Sequence, residues 1–219
     1  MRIGTKSLLF GVHQFAIHPW FVAWAWWRLY GFPWDPRLWV AFLVHDWGYW
    51  GKPNMDSQEG ERHTELGALI MHWLFDRPKY YRWKTPSGVW KREHQLRWLH
   101  FCLFHSRFYA KKGGFTYSRL CVADKLAIAL QPWWFYIPVA WLTGELREYM
   151  EGKGARTPAR GRTPMQWYRD VQRYCQEWAY EHRDGKTDVW TGTKRDFCVG
   201  RPWLLKCDSS SDSSSDSAS

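Results

Sequence analysis

The chain has 219 residues, of which 45% are hydrophobic and 19% aromatic, and its formal net charge is +10. A chain of this length can bury a sizeable core without help from disulfides. Its five cysteines are odd in number and contain no C-x-x-C pair, which argues against a disulfide framework and against a cysteine zinc site. We therefore expect one main domain in a cytoplasmic protein.

The basic charge suits polyanionic partners such as a nucleotide, a nucleic acid or a phospholipid surface. The longest aromatic run, from His18 to Trp34, is interrupted by Arg28 and Pro33. A second run, from Pro132 to Leu142, is too short to cross a bilayer. The sequence therefore predicts no transmembrane segment and leaves contact with a membrane open only at its surface.

Prolines, glycines and capping residues divide the chain into helices whose apolar residues recur at helical spacing. The predicted helices are Pro19 to about Tyr30, Pro36 to about Asp46, Glu59 to Phe75, Pro86 to about Phe104, Ser118 to Leu130, Val139 to Met150, and one that begins at the capping box Thr163-Pro164-Met165-Gln166. We also expect a turn from Lys111 to Thr116 and a short aromatic helix between Pro132 and Pro138. No segment shows the alternation typical of a strand, so the predicted fold class is all-α.

An adjacent histidine and aspartate, His45 and Asp46, close the second predicted helix. They follow the apolar run Trp39 to Val44 and precede the turn residue Gly48. A carboxylate at the end of a core helix is costly unless a cation or a hydrogen-bond network compensates it. The pair alone fits a capping Asp beside a core His as well as it fits a metal site.

Three further residues of metal-binding type favour a metal site. His63 lies within the third predicted helix, and Gly67 one turn later should let another helix approach closely. His105 ends an aromatic helix, and Asp124 is a lone carboxylate in the apolar segment Cys121 to Ala127. Each of these polar groups calls for a partner.

The order of these residues along the chain, His, His-Asp, His, His, Asp, resembles that of the HD superfamily of metal-dependent phosphohydrolases over roughly His18 to Ala129. The motifs that carry the resemblance are His45-Asp46-x-Gly48, His63 with Leu66-Gly67-Ala68, His105, and Ala123-Asp124. The spacing from His105 to Asp124 is similar to that in the bacterial diadenosine tetraphosphate hydrolase branch. One position departs from the family, because Tyr49 stands where Lys usually follows the His-Asp-x-Gly element, and Lys52 comes three residues later.

The resemblance implies an HD-domain-like helical bundle that holds two divalent metal ions. The implied ligands of the first ion are His18, His45, Asp46 and Asp124, and those of the second are His63 and His105, with Asp46 bridging both. Imidazoles and carboxylates favour Mn, Fe, Co, Ni or Zn over Ca. The resemblance places this HD-like metal-binding domain at residues 7–150. Residues 163–183 would form a C-terminal helix packed on it, and residues 184–219 an irregular extension that ends in a disordered Ser/Asp-rich tail.

The first ligand has two candidates, His18 and His13. The first two predicted helices have similar rises and run antiparallel, which brings His18 level with His45 and Asp46. His13 would lie more than a turn beyond them. We therefore favour His18 and keep His13 as the alternative.

The activity that the resemblance implies is cleavage of a phosphoester or phosphoanhydride bond in a nucleotide, either a nucleoside or a dinucleoside polyphosphate. His45 and Asp46 would be catalytic, and a metal-bound hydroxide would attack. Basic residues should neutralise the phosphates, and the candidates are Arg107, Lys111, Lys112, Lys52 and Lys125. Trp47, Tyr49 and Trp50 flank the ligands, where they would either stack on a base or pack as core or lid.

Two other functions fit the same residues. Some HD relatives use a di-iron centre as an oxygenase, although the basic surroundings favour phosphate. Alternatively, the basic Trp-rich chain would bind nucleic acid or a membrane surface without catalysis, with structural histidines. A phosphorylated small molecule is the favoured partner, nucleic acid is less favoured, and a homodimer is left open.

Overall fold

A computed structural model describes residues 1–55, 58–76, 81–84, 90–93, 96–151 and 162–185. Residues 81–84 and 90–93, which form strands, are described by their backbone alone. Helices dominate these residues, so the prediction of an all-α fold is confirmed. The helices in chain order are α1 (Ile3–Phe10), α2 (His18–Tyr30), α3 (Pro36–Val44), α4 (Gln58–Glu61), α5 (Thr64–Phe75), α6 (Arg97–Leu103), α7 (Arg107–Gly113), α8 (Arg119–Leu130), α9 (Trp133–Thr143), α10 (Glu145–Glu151) and α11 (Pro164–His182). A 3-10 turn follows α3 at Trp47–Tyr49.

A short antiparallel hairpin lies between α5 and α6, where the sequence predicted a helix. Strand β1 (Tyr81–Lys84) pairs with β2 (Trp90–Glu93), and α6 begins only at Arg97. The predicted helix from Pro86 is therefore wrong at Trp90–Glu93, and residues 86–89 lie outside the described part of the chain. Aromatic residues favour strands as well as cores, so Trp90 fits a strand as well as a buried helix face.

Three other helix boundaries differ from the predictions. The third helix is broken into α4 and α5, with His63 at the N-cap of α5 rather than inside a helix. The segment expected to be a turn is helical to Gly113, and the left-handed Gly114 (φ +67°) ends it, because one such glycine is enough to cap a helix. Helix α9 continues through Pro138 as far as Thr143, at the cost of one intrahelical hydrogen bond.

The core is organised around α8, which packs against both α2 and α11. Val22 and Ala25 of α2 and Leu120 and Ala127 of α8 are completely buried, as expected for a helix with apolar residues on several faces. Helix α5 packs against α3 and α6 on the other side of this pair. The ends of α2, α3, α6 and α5 therefore meet near the middle of α8.

Helix α11 begins at the predicted capping box, which the structure confirms. The Thr163 hydroxyl accepts a hydrogen bond from the Gln166 backbone N–H, and the Gln166 side chain accepts one from Thr163 N–H. Its buried face includes Trp167 and Cys175. A second apolar cluster forms where this helix meets α9 and α10, with Tyr136, Leu146 and Trp167 among its members.

Within the described residues, no helix has both the length and the apolar character that a membrane span requires. The expectations for most of the connector after Glu151 and for the Ser/Asp-rich tail fall on residues 152–161 and 186–219, which lie outside the described part of the chain.

Candidate metal centre

Four imidazoles and two carboxylates from five separate segments converge at the centre of the bundle. They come from the start of α2, the end of α3, the N-cap of α5, the end of α6 and the middle of α8: His18, His45 with Asp46, His63, His105 and Asp124. All six side chains are buried, with at most 8% of the surface of any residue exposed. They form two groups whose ligand-type atoms lie within 4.8 Å of one another, and Asp46 belongs to both. Such groups could hold metal ions.

The first group gathers around one oxygen of Asp46. Asp46 Oδ2 lies 3.2 Å from His45 Nε2 and 3.5 Å from His18 Nε2. Asp124 Oδ1 faces the same two rings, 3.1 Å from His18 Nε2 and 3.8 Å from His45 Nε2. Two nitrogens and two carboxylate oxygens thus surround one small volume.

The second group gathers around the other oxygen of the same carboxylate. Asp46 Oδ1 lies 3.5 Å from His63 Nε2 and 3.5 Å from His105 Nε2. The two imidazoles approach each other even more closely, with their Nε2 atoms 3.1 Å apart. Asp46 therefore offers one oxygen to each group, which is the position of a bridging ligand.

Backbone carbonyls fix the orientation of three of the rings. The Nδ1 atoms of His45, His63 and His105 lie 2.9, 2.7 and 2.8 Å from the carbonyl oxygens three residues earlier in the chain, those of Phe42, Gly60 and Cys102. A carbonyl oxygen only accepts, so each Nδ1 must carry the hydrogen. When these rings are neutral, the Nε2 lone pair of each points into the cluster, as in histidines that bind metal.

The charges of the cluster shift its pKa values strongly. Burial alone would raise the pKa of Asp46, but His45 and His105 hold it well below its usual range. Burial would likewise raise the pKa of Asp124, but the nearby His18, His45 and Lys125 hold it well below normal. Both carboxylates are therefore anionic at neutral pH and available to a cation.

The pKa values of the histidines in the cluster shift in opposite directions. Burial lowers the pKa of His18, against the pull of Asp124 and Asp46. Burial and the neighbouring His105 lower the pKa of His63 to about 3. For His45 the lowering by burial is outweighed by Asp46 and Asp124, which raise its pKa to about 10. His45 is therefore the ring at which a proton and a cation compete most directly.

Two glycines, Gly67 and Gly48, allow the backbone segments that carry His45 and His63 to pack closely against their neighbours. A Cβ on Gly67 would lie 2.7 Å from the Val44 carbonyl oxygen and 3.0 Å from His45 Cα, so the predicted close approach of another helix at Gly67 is confirmed. A Cβ on Gly48 would lie only 1.8 Å from the His63 carbonyl oxygen. The turn after Asp46 thus packs directly on the backbone that carries His63.

The buried atoms without partners support a cation site. Among the described residues, His45 Nε2 and Asp46 Oδ2 of the cluster are buried and have no hydrogen-bond partner. An unpaired buried polar atom costs about 1–3 kcal/mol. Imidazole nitrogens with carboxylate oxygens form a donor set that suits Mn, Fe, Co, Ni or Zn. The cluster residues therefore fit such ions, and their identity is open.

His13, the alternative first ligand, lies beside the cluster and outside both ligand groups. Its ring centroid is 5.5 Å from that of His18, but its Nδ1 points to Glu145 Oε1 at 3.2 Å and to Ser7 Oγ at 3.1 Å. Burial would lower the pKa of His13, but Glu145 and Asp46 raise it overall. His18, and not His13, therefore lies in the group of residues that could hold an ion.

The carboxylate that holds His13 was not predicted from the sequence. Glu145 is completely buried, and it accepts hydrogen bonds from the Thr143 hydroxyl at 2.6 Å, from Val12 N–H at 3.2 Å and from the Ser7 hydroxyl. Arg147, Glu148 and Glu151 follow it closely in the sequence, so unlike Asp124 it does not stand out as a lone carboxylate in an apolar stretch. This network links the loop after α1 to the junction of α9 and α10.

A cavity of about 370 Å³ opens onto the cluster. Two cations line it, Arg107 and Lys125. Arg107 donates a hydrogen bond to the Tyr174 hydroxyl at 2.8 Å, and its pKa is raised overall, although burial lowers it. Burial and Arg107 lower the pKa of Lys125, but Asp124 and nearby cysteines raise it overall. Both side chains therefore remain charged at neutral pH.

Other predicted substrate contacts do not reach this cavity. Lys111 and Lys112 lie in the last turn of α7, and Lys52 follows the 3-10 turn beside α1; none of the three lines the cavity. Of the flanking aromatic residues, Tyr49 lines the cavity and stacks on the His63 ring, with 4.0 Å between centroids. Trp50 is largely exposed. The basic cluster predicted after His105 thus contributes only Arg107.

Comparisons with models of protein families, with curated proteins and with solved structures found no match for this chain.

Proposed function

We propose that this protein is a metal-dependent phosphohydrolase that cleaves a phosphoester or phosphoanhydride bond of a nucleotide. The observation that carries the proposal is the division of the cluster by Asp46. One carboxylate oxygen faces His18 and His45, and the other faces His63 and His105. This arrangement suits two neighbouring divalent ions, and it agrees with the resemblance of the ordered ligands to the HD superfamily.

Bound ions of this kind would lower the pKa of water and neutralise charge that develops on a phosphoryl group. The residues of the chain prepare the site for that chemistry. The anionic Asp46 and Asp124 would hold the ions, and the backbone carbonyls behind His45 and His63 keep those rings in place. Because all the ligands are buried, little rearrangement is needed when the substrate arrives.

Arg107 and Lys125 favour a phosphorylated substrate over an uncharged one. Both line the cavity next to the ligands, and Lys125 directly follows the ligand Asp124 in α8. A guanidinium held by Tyr174 presents donors in a fixed geometry that matches phosphate oxygens. The two cations would bind the phosphoryl oxygens that do not coordinate the ions.

Product analysis by chromatography tests the proposal. Wild-type protein, Asp46→Ala and the matched control Asp170→Ala would be incubated with nucleoside and dinucleoside polyphosphates in Mn²⁺ and separately in Fe²⁺. Asp170 lies on α11, forms ion pairs with Arg162 and Arg173, and does not line the cavity. We expect hydrolysis by the wild type and the control, and none by Asp46→Ala.

Absence of hydrolysis by a wild-type protein that has bound both ions would contradict the phosphohydrolase assignment. Oxygen consumption without phosphate release would instead identify the oxygenase alternative.

A further inference from the structure

The cavity extends beyond the metal ligands into a part that the nucleotide resemblance does not cover. Its far wall comes from the end of α8, from α9 and α10, and from the C-terminal helix α11. The residues that line this wall are Ile128, Gln131, Tyr136, Tyr149, Trp167 and Val171. Arg107 and Lys125 belong to the same cavity, so a molecule with its phosphate at the cluster could extend towards α11.

Two buried polar groups on this wall lack partners. Trp167 is 3% exposed and Gln131 is 1% exposed. Among the described residues, neither the Trp167 indole Nε1 nor the Gln131 side-chain oxygen has a hydrogen-bond partner. The backbone carbonyl of Gln131, in contrast, accepts hydrogen bonds from the Tyr168 hydroxyl and from Gln172. Buried polar groups normally have partners, so a ligand is a natural partner for these two side chains.

Three of the residues on this wall, Tyr136, Tyr149 and Trp167, are aromatic. The Tyr149 and Trp167 rings are nearly parallel, with an interplanar angle of 12° and 6.3 Å between centroids. The Tyr136 ring lies 6.4 Å from that of Trp167 and stacks on Tyr168. Hydrogen bonds from Tyr168 to the carbonyls of Ile128 and Gln131 tie this aromatic group to α8. Flat, fixed side chains of this kind suit a planar ligand group.

We propose that this wall is a subsite for the base of the nucleotide substrate. The Trp167 N–H donates to an acceptor on the edge of the base, and the Gln131 amide, which can both donate and accept, pairs with another part of that edge. Tyr149 and Val171 line the faces of the base. The proposal rests on the proposed function for the position of the phosphate, and it gives α11 a role in substrate choice.

Binding of ligands that cannot be cleaved tests the subsite separately from hydrolysis. The pair of probes is α,β-methylene-ADP and methylenediphosphonate, which share a bridged phosphonate and differ in the nucleoside. Their dissociation constants for Mn²⁺-loaded full-length protein would be measured by isothermal titration calorimetry. We expect the nucleoside to tighten binding at least tenfold.

Two variants remove one polar group each while keeping the cavity filled: Trp167→Phe and Gln131→Leu. Each should weaken binding of α,β-methylene-ADP roughly fivefold to tenfold, as expected for one lost hydrogen bond. Binding of methylenediphosphonate and metal content should not change. The matched controls are Trp98→Phe, a buried tryptophan outside the cavity, and Gln176→Leu, an exposed glutamine on α11 that does not line it. Neither control should alter either affinity.

Equal affinity for the two probes, or equal effects of the variants on both, would overturn the subsite. If one variant fails to fold by circular dichroism, the other still decides the question. Nucleoside-dependent binding without any hydrolysis would support the subsite and contradict only the proposed reaction.

Discussion

His63 and His105 face one another with their Nε2 atoms 3.1 Å apart, and each ring has its Nδ1 hydrogen committed to a backbone carbonyl. When both rings are neutral, two nitrogen lone pairs therefore meet in a buried space, next to Asp46 Oδ1 at 3.5 Å from both. A proton on His63 is disfavoured at neutral pH, because burial and His105 lower its pKa to about 3. A divalent cation would relieve this repulsion and satisfy all three atoms.

The turn after Asp46 should be sensitive to a single methyl group. In Gly48→Ala the new Cβ would overlap the His63 carbonyl oxygen, so the backbone of His63 must move. We expect a loss of roughly 1–3 kcal/mol in the free energy of unfolding, as for overpacked sites, and a loss of the ion held by His63 and His105. Urea denaturation and metal analysis would measure both, and unchanged values would contradict the close packing described here.

The metal-free protein should lose stability in mild acid through His63. Its pKa is lowered in the folded state, so between about pH 6.5 and pH 3 the unfolded chain binds a proton that the folded chain does not. The contribution of His63 is therefore present above pH 6.5 and is lost as the pH falls. In chelator, His63→Gln should flatten the dependence of unfolding free energy on pH between 4.5 and 6.5, by up to about 1.4 kcal/mol per pH unit. Identical slopes for variant and wild type would show that this ring titrates normally.

The buried Glu145 network should stabilise the fold without holding the ions. Glu145→Gln replaces an acceptor of several hydrogen bonds with a group that must donate from one side, so at least one bond to Thr143, Val12 or Ser7 is lost. We expect a loss of about 1–3 kcal/mol in the free energy of unfolding and an unchanged metal content. The matched control is Glu151→Gln, whose side chain is exposed and which should have little effect. A loss of metal in Glu145→Gln would instead assign His13 to the metal centre.

The two cations that line the cavity, Arg107 and Lys125, should contribute more to kcat/KM than Lys111 and Lys112 in the last turn of α7. Arg107→Gln and Lys125→Gln should each lower kcat/KM for a hydrolysed nucleotide about tenfold to a hundredfold, as expected for a lost charge-assisted hydrogen bond. Lys111→Gln and Lys112→Gln are the controls, since neither residue lines the cavity, and they should stay near the wild-type value. Larger losses of kcat/KM in the controls would contradict this assignment and would favour the phosphate contacts predicted from the sequence at Lys111 and Lys112.

The full set of candidate ligands was predicted from the resemblance of the ordered residues to the HD superfamily, and two of its motifs also stood out as polar residues in an apolar setting, where burial without a partner is costly. His45-Asp46 and Asp124 were identified in this way, and the helix ends followed from Pro19, Gly31 and the capping box at Thr163. The choice of His18 over His13 came from helix lengths, which local sequence does specify.

The remaining features depend on packing between distant segments. Gln131 and Trp167 come together only because α11 packs on α8, and nothing in either local sequence indicates the other. Tyr49 stacks on His63 through the turn at Gly48, which is visible only in three dimensions. The hairpin of β1 and β2 was missed because its aromatic and basic residues fit a helix equally well.

Metal stoichiometry tests the central claim most directly. Chelator-treated full-length protein and Asp46→Ala would be reloaded with Mn²⁺, freed of excess ion by gel filtration and analysed by inductively coupled plasma mass spectrometry. The bridging position of Asp46 predicts two ions for each wild-type chain and loss of both in the variant. A wild-type chain that retains no ion, or a variant that retains as many as the wild type, would contradict the metal centre.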